Sequence, residues 1–452
     1  MQHAIVIGGS MAGLLAARVL TDHCDRVTIV DRDSFPDVVE SRRGVPQGRH
    51  THGLLAGGGA VLERLFPGIT RELIGAGAVP ADIARDCRWF LGGGCLHQFV
   101  SGLDGLLMSR PFLERAVRAR VLSLPRVGVR ENTSVDGLAC SSDQTRVNGI
   151  RVGEETIGAD LVVDATGRGS HTPQWLESIG YPKPAEEKVE VALAYTTRSF
   201  RRSPRDMNGD VAAVVPPTPH GKRGGVMLAQ EGGRWILTLI GHFGQAAPSE
   251  LEGFIAYART LPAPYIYEVI RNAEPLGDAT TARFPASVRR RYEKLPRFPQ
   301  GYLVLGDALS SFNPIYGQGM TVAALEAVQL DEVLHDGPNN LAPRLFQRAA
   351  KVIDTPWSIA VGNDLRMKET VGPRNAGISA INWYLSRLHK AAHHDPVPAL
   401  AFHRVGNLLD PPPSVMRPRV ALRVLIGNLR RSPAAPVDGW PAQAAAARQG
   451  KG

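Results

Sequence analysis

The stretch "VIGGSMAGLLAA", Val6 to Ala17, decides how the fold is read. An apolar strand runs into a glycine-bearing turn and out again into a helix-forming segment. The dinucleotide fingerprint G-x-G-x-x-G asks for glycine at positions 8, 10 and 13, and the chain has Gly8, Ser10 and Gly13. The middle glycine lets backbone approach a pyrophosphate. Ser10, whose Cβ crowds that approach slightly, therefore leaves a ligand-free strand-to-helix turn as the competing reading. The context favours the nucleotide. Residues 3–8 form a short apolar strand, residues 12–22 carry Leu14, Leu15, Val19 and Leu20 on one helical face, and "DRVTIVDRD" (25–33) is a second strand running to Asp31. Strand, turn, helix and strand close in about 30 residues, the length of a mononucleotide-binding half. Asp31 stands 18 residues after Gly13, placed to accept hydrogen bonds from a ribose.

With 452 residues the chain buries a large core in two or more lobes. Hydrophobic residues at 43% and charged residues at 21% are those of an ordinary globular protein. No run approaches the roughly 18 apolar residues of a membrane span, and strand-like residues begin at once with "HAIVIGG", so neither stable membrane insertion nor a signal peptide is expected and the cytoplasm is the default. Cys24, Cys87, Cys95 and Cys140 form no C-x-x-C pair, so no disulfide framework and no metal site are expected. The net charge of +9 is dispersed, with short runs such as 289–291 and 430–431 read as solvated faces. A basic protein that binds an anionic dinucleotide needs no nucleic acid to explain its charge, and none is expected as a partner.

Further along, "MSRPFLERAVRARVL" (108–122) is a helix with Pro111 in its first turn, and "GADLVVDATGRGS" (158–170) is a buried strand entering a polar loop. Between 181 and 285 the pattern changes to strands: "VEVALAYTTRSF", "GGVMLAQ" and "RWILTLIG", the last two joined across "EGG" as a hairpin. The parallel pattern resumes at "GYLVLGDA" (301–308), before a long helix from about Met320. The fold class is thus α/β: a Rossmann-like lobe with an inserted antiparallel β-sheet lobe and C-terminal helices. The expected boundaries are 1–180 for the discontinuous nucleotide lobe, 181–285 for the sheet lobe and 286–335 for the return to the first. Residues 336–431 are C-terminal helices, and 432–452, rich in Pro, Ala and Gln, read as a disordered tail.

The segment "GDALSSFNPIYGQGM" (306–320) carries the most chemistry. Asp307 ends a strand, where it can accept hydrogen bonds from a polyol chain, while Gly317 and Gly319 free successive N–H groups to point at an electron-rich acceptor. The following helix adds its positive end. These three motifs together resemble the single-component FAD-dependent aromatic hydroxylases, the para-hydroxybenzoate hydroxylase-like monooxygenases. Within that class "RRGVPQGRHTHGLL" (42–55) is most similar to the polyether-type epoxidases. The resemblance covers roughly residues 3–330 and, less closely, the helical C-terminal part.

That resemblance implies roles by position. Gly8, Ser10, Met11, Ala12 and Gly13 would hold the FAD pyrophosphate, with Asp31 and Arg32 on the adenosine side and Val135 meeting adenine through its backbone. Arg42 would reach the flavin side, Arg110 the phosphate or ribityl region, and Asp307 the ribityl chain. Pro314, Gly317, Gln318, Gly319 and Met320 would flank the ring, and Asp164 belongs to a loop associated with FAD and the nicotinamide donor. Ser310 stands where the class has a histidine, which removes a polar role there. The implied chemistry is reduction of FAD by NADPH or NADH, addition of O₂ at the flavin C4a, and oxygen transfer to a hydrophobic small molecule, as a hydroxylase or epoxidase of secondary metabolism.

No acid–base dyad stands out, so the catalytic residues are left unassigned. Tyr195, His50 and His242 are the pocket candidates, with His50 and His52 read first as satisfied structural histidines and Trp235 as sheet packing. Tyr195 and Arg198 are three apart and point to opposite faces of a regular strand, which leaves Tyr195 as the pocket-facing one. The helix "RVALRVLIGNLRR" (419–431) is basic and amphipathic and is expected to pack on the nucleotide lobe rather than on a membrane. A flavin-dependent halogenase is the rival reading, opposed by the absence of W-x-W-x-I-P, of which only "RWILTL" is present. A prenyl-chain reductase and a flavin-binding module without turnover are further alternatives. "GGGAVLERL" (57–65) breaks the spacing of a second fingerprint, so the nicotinamide is held transiently, or a separate flavin reductase supplies electrons.

Overall fold

The computed structural model describes residues 1–374 and 376–429, so the segment 432–452 read as a tail lies outside the described residues. Strand β1 (His3–Ile7) leads through the quoted turn into helix α1 (Met11–Leu20), followed by β2 (Arg26–Val30), helix α2 (Arg110–Leu122), β3 (Val127–Arg130) and β4 (Leu161–Asp164). Next come β5 (Glu186–Arg201), β6 (Arg223–Gln230), β7 (Arg234–His242) and β8 (Pro275–Arg290), and then β9 (Tyr302–Val304) and helix α3 (Gly319–His335). Helices α4 (Leu341–Asp364), α5 (Ala376–Ala392), α6 (Pro396–Gly406) and α7 (Pro418–Leu429) complete the chain. Among the described residues no helix is long and apolar enough to cross a membrane.

The first sheet runs β9-β4-β1-β2-β3, with all its pairs parallel. Every residue of β1 and β4 is buried, as a strand covered on both faces requires. Leu14, Leu15, Val19 and Leu20 of α1 join the same core as Leu330 and Val333 of α3. Helix α2 starts where Ser109 Oγ accepts the N–H of Phe112 with Pro111 in the first turn, the pairing that satisfies an orphan donor where a helix begins.

The second sheet outgrows the 181–285 segment. Its order is Ser310–Ser311, β8, β5, β7, β6, then Ala212–Val215, Cys87–Leu91 and Gly94–Cys95. Strand β8 runs on to Arg290, and the strand Cys87–Leu91 pairs parallel to Ala212–Val215, so the N-terminal segment closes one edge. The hairpin of β6 and β7 pairs from Arg223↔Gly241 to Gln230↔Arg234.

Helix α7 corrects an expectation. Val420 and Val424, one turn apart, pack with Leu388 and Ala391 of α5 and Val405 of α6 rather than on the nucleotide lobe, while Leu422, Leu425 and Leu429 stay exposed. One narrow stripe of valines suffices to hold a helix to a helical neighbour. Residues 430–431 of that basic stretch lie outside the described residues.

Candidate flavin site

The carboxyl ends of the parallel strands converge, which is where open α/β sheets bind ligands. Gly8 adopts φ +99°, and a Cβ there would lie 2.7 Å from the Ala165 carbonyl oxygen of the loop after β4. A Cβ on Gly13 would lie 1.7 Å from the Gly8 oxygen, and one on Gly306 would lie 2.7 Å from the Ala12 Cβ. The 8–13, 164–170 and 306–320 motifs therefore form a single close-packed cradle.

Ser10 answers the question that its position raised. It caps α1 with φ −96°, an ordinary extended backbone that needs no glycine. Its Oγ donates to Glu114 Oε2 at 2.9 Å and accepts from Arg110 Nη2 at 2.9 Å. The side chain is tied into a charged cluster instead of hanging over the turn.

That cluster is centred on Glu114 of α2. Arg42 donates to Glu114 Oε1 from Nε at 3.0 Å and from Nη2 at 2.8 Å, and also to Asp31 Oδ2 at 3.2 Å and the Gly9 oxygen at 3.0 Å. Its guanidinium lies 5.0 Å from the centroid of the Phe35 ring. Burial pushes the Glu114 carboxyl up, but Arg110 and Arg42 together outweigh it and hold the group below the usual carboxylate range. Asp31 Oδ2 also accepts the Gly9 N–H at 2.6 Å. Arg42 thus stands at the dinucleotide turn, between Asp31 and the Glu114 that also pairs Arg110. Arg32 is exposed and Val135 half-buried beside the same end of the sheet.

Asp164 requires a second correction. Its carboxylate accepts from the Thr166 N–H (2.8 Å) and from the hydroxyls of Thr166 (2.6 Å), Ser170 (2.5 Å) and Thr172 (2.5 Å). It is fully buried and saturated, so it shapes the 164–172 loop and has no capacity left for a ligand. The loop's outward residue is Arg168, which the sequence reading passed over; its guanidinium lies 4.8 Å from the centroid of the Phe284 ring and it acts electrostatically on Asp307.

Asp307 is the opposite case. No hydrogen bond to its carboxylate is made among the described residues, although burial pushes that carboxyl up against the pull of Arg110 and Arg168. The side chain is half-buried, so this unpaired carboxylate under the influence of two cations is open to a polyol that can donate to it. Beside it, the buried Gln318 Oε1 also has no partner, and Gly317 takes φ +65°, a conformation that glycine adopts freely. Gly319 and Met320 open α3, Pro314 is exposed, and Ser310 is buried with its Oγ unpaired. The Gly317 N–H, expected to be free, donates to the Pro314 carbonyl at 3.1 Å because it closes the 314–316 turn. The residues still fit FAD: a polyol acceptor and a helix N-terminus stand along one cradle.

Beneath the turn lie two acids that the sequence reading also missed. Glu326 Oε2 accepts the Gly306 N–H at 2.6 Å, and burial raises this carboxyl to about 8. Asp364 Oδ1 accepts from Asn313 Nδ2 at 2.9 Å and from the Tyr316 hydroxyl at 2.8 Å, and burial raises it to about 7. A lone Glu amid "MTVAALEAVQL" was the available signal for the first; nothing local marked the second. Away from this site, His23 and His335 approach Asp331 Oδ1 to 3.0 and 3.4 Å, a grouping that no motif spacing announced.

On the sheet side, His50 Nδ1 and Thr197 Oγ1 share a hydrogen bond of 2.8 Å, and the His50 ring meets Tyr195 edge-on at 4.6 Å. Tyr195 and Thr197 face His50, whereas Arg198 turns to the Gly277 and Ser249 carbonyls. Burial lowers His50 to about 4 and, with Arg110, His52 to about 3. His242 is buried on the Val191 carbonyl rather than lining an open pocket, and Trp235 is buried with its indole N–H on Asp206 at 2.7 Å. The 42–55 segment spans these regions, since Gly53 lies against Gly317 and the Leu55 N–H donates to Thr321 at 3.1 Å.

Architecture and cradle together define the fold of the FAD-dependent monooxygenases. It is similar to that of PqsL from Pseudomonas aeruginosa in complex with 2-aminobenzoylacetate, with TM-score 0.64 at 16% identity over 81% of this chain and 97% of that one; PqsL is described as a probable FAD-dependent monooxygenase. The flavin-dependent halogenase CmlS shares the fold, with TM-score 0.64 at 16% identity over 90% of this chain and 77% of that one. No family model matches the chain. The chain belongs to the family of Protein Rv3254 of Mycobacterium tuberculosis, to which it is 36% identical over 454 residues, 95% of this chain and 94% of that protein.

Proposed function

We propose that the protein is an FAD-dependent monooxygenase that uses NAD(P)H and O₂ to hydroxylate or epoxidise a hydrophobic small molecule of secondary metabolism in the cytoplasm. The carrying observation is Asp307, a half-buried carboxylate at a strand's carboxyl end that takes no hydrogen bond among the described residues and feels the charges of Arg110 and Arg168. Bound FAD would supply the acceptance of electrons from NAD(P)H and the activation of O₂. The chain's residues bind and orient it. Gly8 to Gly13 and the N-terminus of α1 would take the pyrophosphate, Asp31, Arg32, Arg42 and Val135 the adenosine half, and Arg110 and Asp307 the ribityl chain. Pro314 and Gly317 to Met320 would flank the ring, where the start of α3 favours negative charge. His50, Tyr195 and Thr197 form a packed wall that excludes water from the ring's surroundings.

The likeness of fold to CmlS keeps a halogenase as the second reading, with a prenyl-chain reductase behind it. Labelled dioxygen separates the three. A monooxygenase places one labelled oxygen atom in its product, a halogenase needs added halide and leaves the product unlabelled, and a reductase turns over without O₂. Full activity on NADPH alone supports one self-sufficient protein, whereas dependence on an added flavin reductase identifies a two-component system.

A further inference from the structure

Beyond the cradle, a cavity of about 410 Å³ opens between the end of α4 and helix α5. That volume lies within the usual range for small-molecule sites. Its walls are mixed, with Ser379 and Asn382 as neutral polar groups beside apolar and basic ones. Leu365, Ile378 and Trp383 are apolar, and Trp383 is 62% exposed with the Arg387 guanidinium 5.6 Å from its ring centroid. Arg366 and Arg374 supply positive charge.

The two arginines are not equivalent. The Arg374 guanidinium donates to the carbonyls of Leu365, Met367 (2.8 Å), Lys368 (3.2 Å) and Thr370 (2.9 Å), which ends the α4 segment in an orderly way. The exposed Arg366 side chain makes no hydrogen bond and no ion pair among the described residues, while its backbone N–H donates to the Asn363 carbonyl at 3.1 Å. The nearby acid Glu369 is engaged by Lys222. The cavity therefore presents one uncommitted guanidinium beside an apolar wall.

The cavity also shares residues with the active region. Leu365 packs in one apolar cluster with Tyr195, Val361 and Phe284, against which Ile315 and Ile378 lie. Ile315 belongs to the 314–320 turn, and Asp364, next to Leu365, holds Tyr316 of the same turn.

We propose that this cavity binds the acidic end of the substrate, a hydrophobic carboxylic acid whose carboxylate pairs with Arg366 while its apolar body lies on Leu365, Ile378 and Trp383. The proposal rests on the flavin reading in that Leu365 and Ile378 of the cavity pack in one cluster with Ile315 of the turn assigned to the ring. A guanidinium fork matches a carboxylate in shape and charge, and the apolar wall selects against small hydrated anions.

Calorimetric titration of the full-length, flavin-loaded protein with 1-naphthylacetate and its neutral amide is the test. The acid should bind wild type about ten-fold more tightly than the amide, the worth of one charge-assisted contact. Arg366→Met should weaken the acid to the level of the amide and leave the amide unchanged, Arg366→Lys should keep most of the preference, and Trp383→Ala should weaken both. Equal binding of acid and amide to wild type, no binding of either, or a preference that survives Arg366→Met overturns the proposal. The visible flavin band of the same samples separates the two claims. Yellow protein without acid preference overturns the cavity alone, whereas protein that cannot hold flavin overturns the flavin reading while the acid preference is still measured.

Discussion

The Gly306 N–H donates to Glu326 Oε2 at 2.6 Å, one residue before the unpaired carboxylate of Asp307. The two acids are thereby stacked under and at the same turn, and they behave differently. Glu326 is buried with its Oε1 unpartnered, and burial followed by the neighbouring Asp307 raises it to about 8. It is therefore a neutral acid over much of the physiological range.

A pH prediction follows from that shift. A carboxyl whose folded value lies above its unfolded value stabilises the protein fully below the unfolded value. That stabilisation is lost as pH rises, until the folded value near 8 is passed. Glu326→Gln, which imitates the neutral acid and still accepts from Gly306, should match wild-type stability near pH 5 and exceed it near pH 9. Denaturant unfolding across that range checks it, and parallel curves for the two proteins would contradict it.

Asp307 should matter to the ligand and not to the fold. Because no hydrogen bond to it is made among the described residues, Asp307→Asn should fold at least as stably as wild type. It should bind FAD about ten- to a hundred-fold more weakly, the loss of a charge-assisted contact. Fluorescence titration of the apoprotein with FAD measures this directly.

Restoring the fingerprint glycine should not improve the protein. Ser10→Gly deletes the hydrogen bonds to Glu114 and Arg110 without relieving any backbone strain, since φ is already −96°. The variant should lose about 1–3 kcal/mol of stability. Gly13→Ala is the sharper control: its Cβ would sit 1.7 Å from the Gly8 oxygen, and it should fail to form the turn. Thermal unfolding of both variants decides the matter.

Histidine titration should be missing from the rate profile. Burial holds His50 near 4 and His52 near 3, so both stay neutral around pH 6 to 7. The pH dependence of kcat/KM should lack an ionisation in that interval from either residue, and His50→Gln should leave the profile's shape unaltered there. A limb near pH 6.5 that vanishes in the variant would refute this placement.

What the sequence made legible was local. The strand–turn–helix unit from His3 to Asp31, the hairpin of β6 and β7 and the helix start marked by Pro111 all declare themselves within a window of a few residues, because periodicity and helix-start signals are short-range. Even the saturation of Asp164 was written in "DATGRGSHT", whose hydroxyls lie within eight residues of it. What escaped was long-range. Arg42 finds Glu114 from 72 residues away, the strand Cys87–Leu91 joins a sheet built mostly of later residues, and Asp364 meets Asn313 from 51 away. Such partners are chosen by tertiary packing, which neither composition nor spacing encodes in a single sequence.

The central claim is that this chain holds FAD and reduces it for oxygen chemistry. The most direct measurement is anaerobic rapid mixing of the purified protein with NADPH, followed by mixing with O₂. The account predicts bleaching of the visible flavin band by NADPH alone and its return on exposure to O₂. Protein that carries no flavin and cannot be reconstituted with it, despite an intact fold, would contradict the account built on Gly8, Gly13 and Asp307.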